Sequence, residues 1–268
     1  PYYMGYVNPE MSLAQNVDKL FFGKNAVLRD EYNRLFASVF VNPDMVKNIV
    51  QLLYTRNAGF TRKEIVEKLE ITDGGRLSSN LNALISSDFI MKYVPFGYGK
   101  REEHYKLVDP FCIFYLHFIW KQKKISEKFW QQNTTSAPVS IWRGFAFENV
   151  CFNHIEQIKR SLGISGVITE TSAWSKKEDD TEGAQIDLLI CRNDNVINMC
   201  EIKYYSGEFR VTKSYYEKIL RRQAILAERI SPKFAIHSTL ITTFGLNYNE
   251  YSSAFSNVIV LDDLFDNV

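Results

Sequence analysis

The sequence predicts a chain that mixes α+β and α/β architecture: a helical segment and a small helix–hairpin module, followed by a mixed sheet flanked by helices. Three observations predict it. Apolar residues recur at the 3.6-residue helical period through most of residues 12–87. Two short alternating runs then flank a Gly-rich turn at 97–100. After residue 141, helical and strand patterns interleave in the order α-β-β-β-α-β-β.

The elements follow in order. Ser12 caps a helix over 12–22, with Leu13, Val17, Leu20 and Phe21 on one face. A second helix covers 26–40, and residues 1–42 make up the helical segment. A helix over 44–54 places Val46, Ile49, Val50 and Leu53 on one face. Thr61 caps 62–69, and Glu64, three residues on, completes a capping box. The turn 72–75 (Thr-Asp-Gly-Gly) ends that helix, and 77–87 follows with Leu77, Leu81, Leu84 and Ile85 inward. Strands at 89–93 and 103–107 form a hairpin.

Within residues 43–130, three helices with a short turn before the third, then a hairpin, make the pattern of a winged helix-turn-helix. The third helix would enter a major groove and present Arg76, Ser78, Ser79, Asn80 and Asn82 as exposed polar residues. The wing would carry Lys100 and Arg101 toward the phosphate backbone. DNA is the partner this reading expects. Arg76 is the one basic residue on that helix, so a protein–protein spacer stands beside it as an alternative.

The boundary falls in the polar stretch 131–140, which contains Pro138. Beyond it, residues 141–268 give a long helix over 142–162, strands at 167–174, 185–191 and 196–204, a helix over 212–229, and strands at 234–242 and 258–261.

Composition narrows the class. Of the 268 residues, 46% are hydrophobic and 24% charged, which excludes a disordered or collagen-like chain. Residues 1–140 carry 18 Lys and Arg against 14 Asp and Glu, and residues 141–268 carry 14 against 17, so a basic first half adjoins an acidic second half. The four cysteines form no CxxC pair and read as small buried hydrophobes in a reducing compartment. The longest apolar run, 111–120, is about half the ~20 residues that span a bilayer. No basic head and apolar core open the chain as in a signal peptide. A cytoplasmic protein with no membrane partner is expected. The abrupt start at Pro1 suggests a piece of something longer.

The chemistry concentrates in 183–203. Residues 192–195 (Arg-Asn-Asp-Asn) are a tight polar turn, so the flanking strands form a hairpin. A loop of two or three residues sets Asp187 opposite Cys200, Glu201 or Ile202, and therefore beside Glu201 to within one residue. Glu201 and Lys203 are two apart and share one strand face, while Cys200 and Ile202 take the other. Adjacent carboxylates repel. A hard divalent cation removes the repulsion, since Mg²⁺ takes oxygens from one or two carboxylates plus substrate phosphate. Such a cation polarises a phosphate, and a neighbouring Lys orients water or neutralises charge on phosphorus.

These residues resemble the PD-(D/E)XK nuclease superfamily, whose signature is an acid on one strand and acid-X-Lys on the next. Asp187 and Glu201-Ile202-Lys203 match it, and the element order over 141–268 matches its core. No Pro precedes Asp187, and Gln185 stands where some members place another polar or acidic residue. The resemblance implies a restriction-endonuclease-like mixed sheet flanked by helices and metal-dependent phosphodiester hydrolysis with Mg²⁺ or Mn²⁺. It implies Asp187 and Glu201 as metal ligands, with Glu148 on the first helix and the Ile202 carbonyl as further or water-mediated ones. Lys203 would position the attacking water. The wider arrangement resembles the C-terminal half of a family of prokaryotic AAA/STAND-type ATPases. That implies an upstream ATPase domain in the same polypeptide, with residues 1–42 as its helical lid end. No GxxxxGK[ST] occurs, so no nucleotide cofactor site is expected within this chain.

On the helix after the hairpin, Lys213, Lys218 and Arg221 are candidates for phosphate contact, with Tyr216 and Arg222 nearby. A solvated basic face paired with Glu217 and Glu228 is the alternative. His154 reads as a satisfied, half-buried histidine. His104, His117 and His237 lack zinc spacing, and no GxSxG marks a serine nucleophile. Residues 176–182 form a charged loop. Phe111, Phe114, Tyr115, Phe118 and Trp120 read as core. Two further readings stay open: a non-enzymatic region that senses DNA or a partner and regulates the ATPase, and a purely structural ion-pair network of Asp187, Glu201 and Lys203.

Overall fold

The computed structural model describes residues 2–122, 126–176 and 184–266; the side chains of 2, 100, 173–176 and 184–185 lie outside the described set, as do residues 177–182 of the charged loop. The chain divides into two compact units. One comprises Pro1–Tyr93 with Glu103–Trp142, the other Val94–Glu102 with Arg143–Val268.

In the first unit, Ser12 caps α1 (Leu13–Val17) through a capping box completed by Gln15. The helix predicted through 22 changes type at Asp18, where a π-helical turn runs Asp18–Phe22. Helix α2 (Glu31–Val39) begins five residues later than predicted, because turns occupy the residues before it. Helix α3 (Pro43–Tyr54), the two-residue strand β1 (Phe60–Thr61) and α4 (Arg62–Leu69) follow. At the start of α4 the Thr61 N–H donates to Glu64 Oε2 at 2.8 Å, and Arg56 Nη2 donates to the same oxygen at 2.6 Å. Helix α5 (Gly75–Ser86) leads into β2 (Ile90–Tyr93) and β3 (His104–Leu107), which pair antiparallel with Ile90 opposite Leu107. Strand β1, too short to read from the sequence, adds to β3 on its other side.

The α3 stripe packs as the period requires: Val46, Ile49 and Val50 are fully buried with Phe36, Ile65 and Leu84. One expectation on α5 is corrected. Asn80 is buried and its Nδ2 has no hydrogen-bond partner among the described residues, and Ser78 is half-buried and accepts from Arg62 Nη2. Leu77, Leu81 and Leu84 draw that side of the helix into the core, leaving Arg76, Ser79 and Asn82 exposed.

The predicted aromatic core forms around α6 (Pro110–Phe118) and α7 (Phe129–Asn133). Phe114, Phe118 and Trp130 bury together with Phe22. The buried Asp18 carboxylate accepts the N–H groups of Trp130 (2.7 Å) and Gln131 (3.1 Å) at the start of α7, satisfying donors that a helix N-terminus leaves open. Among the described residues no helix is long and apolar enough to cross a membrane.

The single helix predicted over 142–162 is two: α8 (Ala137–Asn153), whose residues through Trp142 group with the first unit and the rest with the second, and α9 (Ile155–Ser161) of the second unit, broken at His154. Strands β4 (Thr169–Lys176), β5 (Ala184–Arg192) and β6 (Val196–Lys203) are followed by β7 (Phe209–Arg210), α10 (Lys213–Ala227), β8 (Ala235–Thr242), β9 (Leu246–Asn247) and β10 (Asn257–Val260). The main sheet runs β10-β8-β6-β5-β4; β6, β8 and β10 are parallel, and β5 is antiparallel to both its neighbours. The parallel β6–β8 pair needs a crossover, and α10 supplies it.

Both faces of this sheet are covered. Ile219 and Leu226 of α10 pack on Leu189, Ile197, Met199 and Leu240. Phe147, Cys151 and Ile158 of α8 and α9 pack on Leu188, Ile190, Cys200 and Ile202 from the other side. A strand buried on both faces reads as a continuous apolar run, and β6 does so except at Asn198, Glu201 and the terminal Lys203. The segment 94–102 joins this unit through Ser172 Oγ, which donates to the Val94 carbonyl at 2.9 Å, and through Phe96 against the α10-side core.

Candidate active site

The β5–β6 hairpin turns where predicted. Asn195 adopts a left-handed conformation (φ 64°), which asparagine tolerates, and Arg192 Nε donates to Asp194 Oδ1 at 2.9 Å. Leu188 faces Cys200 and Leu189 faces Met199, and just beyond this register Asp187 reaches the end of β6, where it accepts the Ile202 N–H. Asp187, Glu201 and Lys203 therefore converge at the end of β6, where Lys203 Nζ lies within ion-pair distance of both acids.

Glu201 sits in the middle strand of a five-stranded sheet and is only 3% exposed. A carboxylate buried there costs several kcal/mol unless compensated, and the structure compensates it three times. Its Oε1 accepts the Tyr215 hydroxyl at 2.5 Å and pairs with Lys203 Nζ at 2.8 Å. Its Oε2 pairs with the Arg222 guanidinium. Asp187 is nearly as buried. Its Oδ2 accepts the Ile202 N–H at 3.1 Å and lies 3.7 Å from Lys203 Nζ.

The electrostatics follow from these positions. Burial first, then the Glu201 charge, raise the Asp187 carboxyl above its ordinary range; Glu148 on α8 adds to this, and Lys203 only partly offsets it. Burial pulls the Lys203 ammonium down, but Glu201 and Asp187 outweigh burial and raise it, so Lys203 is held as a cation. Burial and then Glu201 raise the Tyr215 phenol, which stays a donor.

Among the described residues, no three or more His, Cys, Asp or Glu side chains form a group that would hold a metal by themselves. Glu148 is half-buried and does not complete one with Asp187 and Glu201. The available protein ligands are two carboxylates, which are hard oxygen donors of the type Mg²⁺ or Mn²⁺ takes when phosphate and water supply the remainder.

Lys213, Lys218 and Arg221 lie exposed on α10, while Arg222 turns inward. Arg76 is exposed on α5 and donates to Asn42 Oδ1 at 2.7 Å. Arg101 is exposed in segment 94–102, which groups with the second unit; the Lys100 side chain lies outside the described residues. His154 Nδ1 is 2.7 Å from the Val150 carbonyl oxygen, a satisfied half-buried histidine as expected. Tyr215 was not singled out from the sequence, and Arg222 was named only as a neighbour of the phosphate-contact candidates; both contact Glu201. Their signal was spacing: 215, 219, 222 and 226 share one helical face, and that face buries Ile219 and Leu226. An arginine on such a stripe needs a buried anion.

A scan against protein-family models matches none, and a search of curated proteins gives no match. Among solved structures the chain is similar to a crystal structure described as a protein of unknown function, AF1548. The two are 13% identical with a TM-score of 0.31 over 43% of this chain and 64% of that one, so the chain spans under two thirds of that structure's length.

Proposed function

We propose that the second unit is a restriction-endonuclease-like domain of the PD-(D/E)XK type that hydrolyses DNA phosphodiesters with Mg²⁺ or Mn²⁺. The observation that carries this reading is the meeting of Asp187, Glu201 and Lys203 on adjoining buried strands, with Asp187 destabilised as an anion by burial and by Glu201. Asp187 and Glu201 would hold the cation. Bound there, it would supply Lewis-acid polarisation of a phosphate and a more acidic water. Lys203, kept protonated by the two acids, is a donor and not a base. It orients water and opposes negative charge building on the phosphate oxygens. Arg222 and Tyr215 fix the Glu201 carboxylate from the α10 side.

The order of helices and hairpin in the first unit supports reading it as a winged helix-turn-helix, with Arg76 exposed for DNA contact. An upstream ATPase domain in the same polypeptide belongs to this proposal. So does a cytoplasmic location, in keeping with four free cysteines.

One observation favours a second reading. Glu201 is already paired by Lys203, Arg222 and Tyr215, which suits a non-catalytic region that keeps the fold and regulates an ATPase. Metal titration by calorimetry and cleavage of plasmid or branched DNA, by wild type and Lys203→Ala, separate the two. Metal-dependent cleavage that falls about a hundredfold or more in Lys203→Ala is expected. Equal cleavage by both proteins removes Lys203 from the mechanism. No metal uptake and no cleavage support the regulatory reading.

A further inference from the structure

The same ion pairs bear on when the site can take a metal, an inference that rests on the nuclease reading. Glu201 has about four lone-pair positions, and three are filled: Tyr215 and Lys203 on Oε1, Arg222 on Oε2. The fourth lies on Oε2, the oxygen that Arg222 holds, so a cation ligated there meets the like charge of the guanidinium unless Arg222 withdraws. Tyr215 is neutral, and Lys203 also neighbours Asp187. Arg222 is the cation whose described ion pair is with Glu201 alone, and it reaches the site from a helix on a long side chain. Its planar guanidinium also matches a phosphate's oxygens two at a time.

Charge balance points the same way. With every group ionised, Asp187, Glu201 and Glu148 outnumber Lys203 and Arg222 by one negative charge. A divalent cation alone turns this into one positive charge in excess. A phosphodiester arriving with it restores neutrality around the buried Glu201, where imbalance is costly. Among the described residues two carboxylates converge, so phosphate oxygens are also needed to complete the coordination.

We propose that Arg222 makes metal binding conditional on phosphate: it occupies Glu201 when no substrate is present and exchanges to the substrate phosphate, freeing Oε2 for the cation. Arg222 is thus a positioning residue, and metal and phosphodiester bind with reciprocal positive coupling.

The test uses the full chain and titrates Mn²⁺ with and without a phosphorothioate DNA duplex, subtracting Mn²⁺ bound by the duplex itself. For wild type, the Mn²⁺ dissociation constant falls about tenfold or more when the duplex is present. Arg222→Gln binds Mn²⁺ alone several-fold more tightly than wild type, and its coupling shrinks to about threefold or less. A loss of structure without gating cannot tighten metal binding. Arg222→Lys keeps a cation without the fork, gives intermediate coupling, and decides the matter together with wild type if Arg222→Gln does not fold. Equal Mn²⁺ affinity of wild type with and without the duplex overturns the gating and leaves the metal site standing. No Mn²⁺ uptake in either condition overturns both.

Discussion

Replacing Tyr215 by Phe removes one oxygen from the candidate site and little else. The ring sits 5.2 Å from that of Phe209, and Phe preserves this contact. What disappears is the 2.5 Å donation to Glu201. A hydrogen bond to a charged acceptor contributes about 1.5–3 kcal/mol. Lys203 remains 2.8 Å from the same oxygen, so the carboxylate keeps a partner and the cost belongs at the low end, about 1.5 kcal/mol. For a unit of this size, each kcal/mol moves the melting temperature by roughly 3–4 °C, giving a fall of about 5 °C. Urea unfolding of the full chain, followed by near-ultraviolet circular dichroism, measures it. A double-mutant cycle with Glu201→Gln isolates the pair, with a coupling of about 1 kcal/mol expected. A single-mutant effect below about 0.5 kcal/mol, or an additive cycle, would refute the claim that α10 holds Glu201 through this phenol.

Three other outcomes are expected. Asp187 has a folded-state pKa above its unfolded one, so its favourable contribution is full below the ordinary carboxylate range and lost as pH rises through the folded value. Asp187→Asn should therefore melt higher than wild type at pH 7.5 by on the order of 1 kcal/mol or more, with the gain vanishing near pH 3, while metal binding is lost. Glu64 behaves oppositely. Burial raises it, but Arg56 and the Thr61 N–H outweigh burial and lower it to about 2, so its contribution is full above about 4.5 and fades as pH falls toward 2. Scanning calorimetry of Glu64→Gln should show a lower first-unit transition at pH 7 and a gap that closes in that acid window. Asn80→Leu replaces a buried amide lacking a partner for Nδ2 and should raise first-unit stability by about 1 kcal/mol in urea titrations; a loss would mean that the amide is satisfied.

What the sequence made legible was local. The capping box at Thr61 and Glu64 needs only four residues, and the α3 stripe needs only a period. The hairpin was readable because Arg192 to Asn195 is turn chemistry between two apolar runs, and a turn of that length carries Asp187 to Glu201. What escaped depended on distant partners. Asp18 changes the helix type after α1 while its carboxylate caps a helix 112 residues away. The apolar period runs unbroken through Cys151, Ile155 and Ile158, so the break at His154 left no trace in it. Arg222 and Arg221 are indistinguishable by composition. Only the packing of α10 on β6 selects one for Glu201 and leaves the other in solvent. Asn80 was assigned outward by polarity, against the three leucines that set the helix's orientation.

The route of the backbone has a practical consequence. It leaves the first unit at Tyr93, returns at Glu103 and leaves again after Trp142, so three covalent passages join the two units. A gene truncated at residue 143 would encode the charged cluster but omit Val94, whose carbonyl receives Ser172, and Phe96, which covers part of the α10-side core. Such a fragment would expose an apolar scar where that loop belongs, and its failure to cut or to stay dispersed would reflect the amputation and not the chemistry. Likewise, one protease nick between Trp142 and Arg143 would leave the two halves tied together by the remaining two passages.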